Sequence, residues 1–285
     1  MQEAVTVKEV NAYIAEKKGL KLSVGFVPTM GALHKGHISL AECCKSENNI
    51  TVVSIFVNPT QFNNQEDLDK YPRCQERDLD MLEKAGCDLV FMPEVKIIYP
   101  QPDLRQFDFG ELSQIMEGHF RPGHFNGVAQ VVSRLFEIIR PDRAYFGKKD
   151  IQQLAVIRRL KHMLNSEVEI RACETIREKD GLAMSSRNVR LTPEQRKNAP
   201  LIYNTLNAAV HKKKMSVDEM KKWVIVNINK DPLFNVEYFE IVRDSDLAPI
   251  TNWSEGGDEL IACIAVNAGN VRLIDNVFFP NFALS

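Results

Sequence analysis

Val24-Gly25-Phe26-Val27-Pro28-Thr29-Met30-Gly31-Ala32-Leu33-His34-Lys35-Gly36-His37 reads as a strand, a turn and the start of a helix in direct succession. Val24 to Val27 is a short apolar run that stops at Pro28, and His37 to about Cys44 reads as a helix. Gly31 and Gly36 let the backbone approach a ligand closely. A helix start offers free N–H groups and the positive end of the dipole, so it favours an anion. His34 and His37 add two imidazoles, each able to donate a hydrogen bond to a phosphate oxygen. A turn with two surface histidines would use the same letters, but two histidines flanking a glycine at a strand-to-helix junction favour a site. A P-loop is excluded, because no Gly-Lys-Ser/Thr ending is present.

Outward from this stretch, strands and helices alternate. Ile50 to Val57 is a β-branched run stopped by Asn58-Pro59, apolar enough for a strand buried on both faces. Arg73 to Ala85 is amphipathic and ends at Gly86, and Asp88 to Met92 is a third strand. Gly127 to Ile139 is a helix with apolar Val128, Val131, Val132, Leu135, Ile138 and Ile139. Ala144 to Phe146, Asp150 to Leu164 and Val168 to Cys173 follow as strand, helix and strand. Such alternation implies βαβ units, an α/β fold with a Rossmann-like parallel sheet flanked by helices, and ligands at the carboxyl ends of its strands. The pattern changes after residue 176. Helices near Pro193–Lys213 and Val217–Asn229 precede strand-like runs at Val236–Val242, Glu259–Val266 and Val271–Phe279. The expected division is a domain of residues 1–176 that binds nucleotide and substrate, and a smaller C-terminal α+β domain of residues 177–285.

With 285 residues, 44% of them apolar and 26% charged, the chain can fill a full core. A formal net charge of −2 gives no global footprint for nucleic acid. The densest basic run, His211-Lys212-Lys213-Lys214, reads as a solvated helix end. No apolar stretch approaches the roughly 20 residues that span a bilayer, and the N-terminus is no secretory signal. Six cysteines without a Cys-x-x-Cys pair suit free thiols in a reducing cytoplasm, with no zinc site.

A second chemical segment is Lys179-Asp180-Gly181-Leu182-Ala183-Met184-Ser185-Ser186-Arg187-Asn188. Alone it reads as a turn plus helix cap. Its small hydroxyl residues and Arg187, which can grip phosphate oxygens bidentately, also suit a loop that closes over phosphates. Paired with His34-Lys35-Gly36-His37 in the same order, Met184-Ser185-Ser186-Arg187 resembles the second signature of the nucleotidyl transferase superfamily, which includes class I aminoacyl-tRNA synthetases. An RNA-binding role is disfavoured by the acidic balance. Three more segments narrow the match: Phe56-Val57-Asn58-Pro59-Thr60-Gln61-Phe62, Glu117 to Val128, and Phe146-Gly147-Lys148-Lys149-Asp150-Ile151-Gln152-Gln153-Leu154. Together the five resemble the pantothenate synthetase (pantoate–β-alanine ligase) family, from about Thr6 to Arg272-Leu273-Ile274-Asp275-Asn276.

The resemblance implies ATP-dependent joining of (R)-pantoate to β-alanine. Pantoyl adenylate forms first with release of pyrophosphate; the β-alanine amine then attacks and AMP leaves. It implies ATP contacts from Met30, Gly31, Ala32, Leu33, His34, Lys35, Gly36 and His37, from Gly147, Lys148, Lys149 and Asp150, and from Ile176, Met184, Ser185, Ser186 and Arg187. Within these, His34, His37, Lys149 and Arg187 carry the chemistry, Asp150 meets the ribose and Lys148 is the more exposed lysine. Gln61 and Gln153 would clasp pantoate, assisted by Asn58; an amide offers the donor and acceptor that hydroxyls and a carboxylate need. For His37, a proton-donor role and a phosphate hydrogen-bond role both stay open. Mg²⁺ is expected, held by substrate phosphates and water with no protein cage. Asp78 is either a partner for it or a surface helix carboxylate, the second reading being preferred. A homodimer is implied as well. Asn126 departs from several relatives, and Ala32 and Lys35 occupy variable places; none is assigned to catalysis.

Overall fold

The structure, a computed structural model, describes residues 1–212, 214–255 and 259–279. Two compact units emerge. The first holds Met1–Lys148 and Gln153–Glu174, the second Lys149–Gln152 and the chain from Thr175 onward.

In the first unit the order is β1 (Gln2–Ala4), α1 (Val7–Gly19), β2 (Val24–Thr29), α2 (Lys35–Glu47), β3 (Ile50–Ile55), α3 (Gln65–Asp69), α4 (Gln75–Lys84) and β4 (Leu89–Phe91). Then come α5 (Val95–Ile98), α6 (Met116–Phe120), α7 (His124–Ile139), β5 (Arg143–Gly147), α8 (Ile151–Met163) and β6 (Glu169–Cys173). The strands form one sheet in the order β1-β4-β3-β2-β5-β6, and every pairing is parallel. The expected parallel α/β sheet is therefore present. Its middle is apolar on both faces: Phe26, Val27, Val52, Val53, Leu89 and Val90 are fully buried.

Strand order fixes where a ligand can sit. From β2 the chain steps through β3 to β4 on one side, then crosses to β5 and β6 on the other. β2 and β5 are neighbours, so the switch point lies between them. The carboxyl end of β2 leads into Met30–His37, and that of β5 into Lys148.

The second unit holds α9 (Pro193–Asn198), α10 (Pro200–Ala209), α11 (Val217–Asn229) and the antiparallel sheet β7 (Phe234–Arg243), β8 (Leu260–Ala268), β9 (Val271–Phe278). Ile202, Leu206, Met220, Val224, Ile241 and Ile264 are among its core residues.

Some elements differ from their expected form. The single helix Pro193–Lys213 is two, because Pro200 has no N–H to continue α9 and instead opens α10; Lys213 lies outside the described residues. β1 and α1 carried no strong pattern. β1 has three residues, and α1 buries only Val10 and Ile14. The local cue for α1 is its capping box, in which Thr6 and Glu9 exchange hydrogen bonds.

Candidate active site

The turn after β2 is held by two side chains, Thr29 and Asp78. The Thr29 hydroxyl donates to the Ser54 carbonyl at 2.7 Å and accepts from the Gly31 N–H at 3.2 Å. Gly31 takes φ +77°, and a Cβ there would come within 3.1 Å of Asp78 Oδ2 and 3.0 Å of Ile55 Cγ2. Ala32 follows with φ +48°, a left-handed conformation unusual for a residue with a Cβ. Asp78 explains how it is held: its Oδ2 accepts from Ala32 N–H at 2.8 Å, and its Oδ1 from Leu33 N–H at 2.7 Å. Asp78 is 1% exposed. This corrects the expectation of a surface helix carboxylate. It lies on the buried side of α4, and the two N–H groups justify a carboxylate there. Burial pushes its carboxyl above the ordinary range, against the pull of those N–H donors.

His34 is the N-cap of α2. Its Nδ1 accepts from Gly36 N–H at 3.1 Å, and His37 Nδ1 accepts from His34 N–H at 3.4 Å. Imidazoles thus take the places of the usual Ser and Glu of a capping box. Their ring centroids are 4.0 Å apart. Because both Nδ1 atoms accept, each ring in its neutral form carries its proton on Nε2. The helix start therefore combines backbone donors with two Nε2–H donors, an arrangement suited to phosphate.

The segment after β3 forms a short 3₁₀ turn, Pro59–Gln61, which places Gln61 in a buried polar cluster. Asn58 Nδ2 donates to Gln61 Oε1 and to the Gly127 carbonyl, both at 3.1 Å. Tyr99 O–H donates to Asn58 Oδ1 at 2.9 Å. Gln61 Nε2 points at Met30 Sδ, 3.2 Å away, so Gln61 and the β2 turn are brought together. His124 Nδ1 lies 2.8 Å from the Gln61 carbonyl oxygen. Gly127 permits this packing: a Cβ there would stand 2.3 Å from the Thr60 oxygen. Tyr99, His124 and Gly127 were not singled out from sequence, although the last two lie within a quoted motif. Gln153 is half-buried in the first turn of α8. Lys148, which follows β5, is ion-paired with Glu174.

In the second unit, Lys149 is mostly buried and its Nζ lies 3.8 Å from Asp150 Oδ1. Residues 176–184 form a tight hairpin: Met184 N–H donates to the Ile176 carbonyl at 3.0 Å and Glu178 N–H to the Leu182 carbonyl at 2.8 Å. Ser185 then caps a 3₁₀ turn, Ser186–Arg190, accepting from Arg187 N–H at 3.2 Å. The turn-plus-cap reading of this segment is met. Lys149, Ser185, Asn188 and Asp275 line one small cavity.

Among the described residues no cluster of three or more His, Cys, Asp or Glu side chains could hold a metal ion. Both oxygens of Asp78 are engaged by backbone N–H groups, which gives this carboxylate a bracing role in the turn. No helix among the described residues is long and apolar enough to cross a membrane.

The family model for pantoate–beta-alanine ligase matches residues 2–278. Pantothenate synthetase of Porphyromonas gingivalis is 50% identical over 277 residues, 97% of this chain and 98% of that one. Its counterpart in Azobacteroides pseudotrichonymphae is 49% identical over 281 residues, 98% of this chain and all of that one. The crystal structure of pantothenate synthetase from Thermus thermophilus superposes with a TM-score of 0.90 at 43% identity, covering 97% of this chain and 99% of that one. Pantoate–beta-alanine ligase of Francisella tularensis, solved in complex with beta-gamma ATP and beta-alanine, gives a TM-score of 0.80 at 35% identity over 97% of both chains. The chain belongs to the pantoate–beta-alanine ligase family.

Proposed function

We propose that this chain condenses (R)-pantoate with β-alanine through pantoyl adenylate, consuming ATP and releasing pyrophosphate and then AMP, with the turn Met30–His37 as its phosphate element. The observation that carries this is the imidazole capping box, which sets two Nε2–H donors at a helix start beside the strand switch point. It supports the hydrogen-bond role for His37: with Nδ1 accepting from the His34 N–H, the Nε2–H is the ring's donor, and a donor there would stabilise phosphate oxygens that gain charge as pyrophosphate leaves. In the first unit, Gly147 and Lys148 join Met30–His37 as nucleotide contacts. Gln61 and Gln153 bind pantoate, with Asn58 fixing the Gln61 amide. In the second unit, Lys149 and Arg187 bind phosphates, Asp150 the ribose, Ile176 the adenine, and Met184, Ser185 and Ser186 complete the loop. Mg²⁺ enters on the nucleotide phosphates and neutralises charge there. A cytoplasmic homodimer is the assembly we infer from the family.

The test is a product assay. ATP, pantoate and β-alanine should give AMP, pyrophosphate and pantothenate in equal amounts. ATP and pantoate alone should release pyrophosphate in a single turnover. No AMP with all three substrates sinks the reading. Gln153→Ala should raise the KM for pantoate more than that for ATP; an unchanged pantoate KM removes Gln153 from the substrate site.

A further inference from the structure

β9 carries two polar residues where its packing calls for apolar ones. Asp275 falls in the row of Val271, Leu273 and Val277, which faces the core of the second unit, yet it is only 5% exposed. Asn276, 4% exposed, points to the other face. A buried carboxylate is costly unless it is paired and hydrogen-bonded. Here Arg177 meets Asp275 bidentately, Nη1 to Oδ2 at 2.6 Å and Nη2 to Oδ1 at 2.9 Å. The same guanidinium donates to the Gly181 carbonyl at 3.2 Å and to the Asn276 carbonyl at 3.2 Å, and lies 3.8 Å from the centre of the Tyr203 ring. Arg177 thereby ties the base of the 176–184 hairpin, its Gly181 turn and β9 together. Asn276 Nδ2 donates to the Lys149 carbonyl at 2.8 Å, and Asn276 N–H donates to Asp275 Oδ1 at 2.8 Å.

We propose that Asp275 and Asn276 are positioning residues for adenylation, Asn276 holding the backbone of Lys149 and Asp275, through Arg177, holding the hairpin that leads into Met184–Arg187. The inference rests on the reading of Lys149 and Arg187 as phosphate ligands. One strand then sets the origin of both basic groups. Lys149 places its ammonium at the end of a flexible stem, so the site it reaches depends on where its backbone is fixed. Apolar residues on β9 would fill the core equally well; the polar pair adds direction.

The test follows pyrophosphate release in a single turnover with saturating ATP and pantoate, using the full chain. Asn276→Ala should slow it about tenfold, less than the roughly 10²-fold that a 1 Å misplacement can cost. The effect should vanish when Lys149 is already alanine, because Asn276 acts through Lys149. A wild-type rate in Asn276→Ala, or an undiminished effect in the Lys149→Ala background, overturns this role. A wild-type rate in Lys149→Ala is a different failure, that of the phosphate reading of Lys149. Should Asn276→Ala not fold, Asn276→Asp keeps the shape and replaces the donor by an acceptor, and the same outcomes apply. Asp275→Asn is read without activity, by amide exchange of the peptide spanning 176–186. Faster exchange than wild type is expected; unchanged exchange overturns the role of Asp275.

Discussion

Asp78 does its work through two short hydrogen bonds that a near-isosteric amide cannot reproduce. Asparagine offers one acceptor oxygen, and its NH₂ would face the N–H of either Ala32 or Leu33. One buried donor is then left unmet, which costs about 1–3 kcal/mol, and Ala32 loses a restraint on its left-handed φ. Asp78→Asn should therefore lower the stability by that amount in urea denaturation; a wild-type midpoint would refute the brace. His37 allows two roles to be separated. His37→Ala removes both the Nδ1 cap acceptor and the Nε2 donor, whereas His37→Asn keeps an acceptor near the backbone and lacks the distal donor. Adenylation should fall on the order of 10²–10³-fold in both, and in Lys149→Ala, the usual scale for one preorganised donor. Only His37→Ala should also lose helix-cap stability. An adenylation rate in His37→Asn close to wild type would mean that the cap, not phosphate binding, is what His37 supplies. Such roles were half legible in the sequence. The His-Lys-Gly-His letters pointed to a helix start bearing two imidazoles, which the structure has, but the Nδ1 acceptors and the Asp78 brace are long-range or geometric facts that no spacing records.

Elements were legible where one physical signal dominated. β3 and α7 announce themselves by apolar runs and by helical spacing, and α7 needed only its start moved from Gly127 to His124. The short α5 and α6 had no period long enough to read. Another element-scale feature is the join of α2 to the sheet. Glu47 ends α2, where a carboxylate opposes the helix dipole. Arg171 of β6 compensates, with Nε to Glu47 Oε2 at 2.9 Å and Nη2 to Oε1 at 3.0 Å. Tyr145 of β5 donates its O–H to Glu47 Oε2 at 2.8 Å, and Asn48 Nδ2 donates to Tyr145 at 2.7 Å. The Arg171 and Tyr145 hydrogen bonds hold the Glu47 carboxyl below the usual range. A carboxyl lowered by folding adds stability above its unfolded value, and that stability is lost as pH falls through the folded value. Glu47→Gln should accordingly be less stable than wild type at pH 7, and the gap should narrow as pH falls below the ordinary glutamate value of about 4.3. A gap that widened on acidification would contradict the sign.

At the scale of the whole molecule, the parallel sheet was legible in its continuous apolar runs, and the α+β character of the later unit in its order of helices followed by strand-like runs, although β8 is buried along nearly all its length and does not alternate. The boundary was less so. Lys149–Gln152 groups with the later chain although it lies between β5 and the body of α8, and a linear reading has no signal for a short excursion of this kind. The cysteines report on both cores at once. All six are free thiols. Cys44 and Cys87 lie in the core of the first unit, Cys173 at the end of β6, and Cys263 in the middle of β8. Burial pushes the thiols of Cys44, Cys87 and Cys173 up to about 12. At pH 8 only about one in 10⁴ such thiols is ionised, and the thiolate is the reactive form. Cys74, at the exposed start of α4, has no such shelter, and Cys43 is partly exposed. A disulfide reagent at pH 8 should therefore label Cys74 fastest in the native protein and Cys43 more slowly. Cys44, Cys87, Cys173 and Cys263 should react only on unfolding in denaturant. Peptide mapping of the labelled chain reads each site separately. Labelling of Cys44 or Cys87 as fast as Cys74 would show an open parallel sheet, and the same result at Cys263 an open antiparallel one.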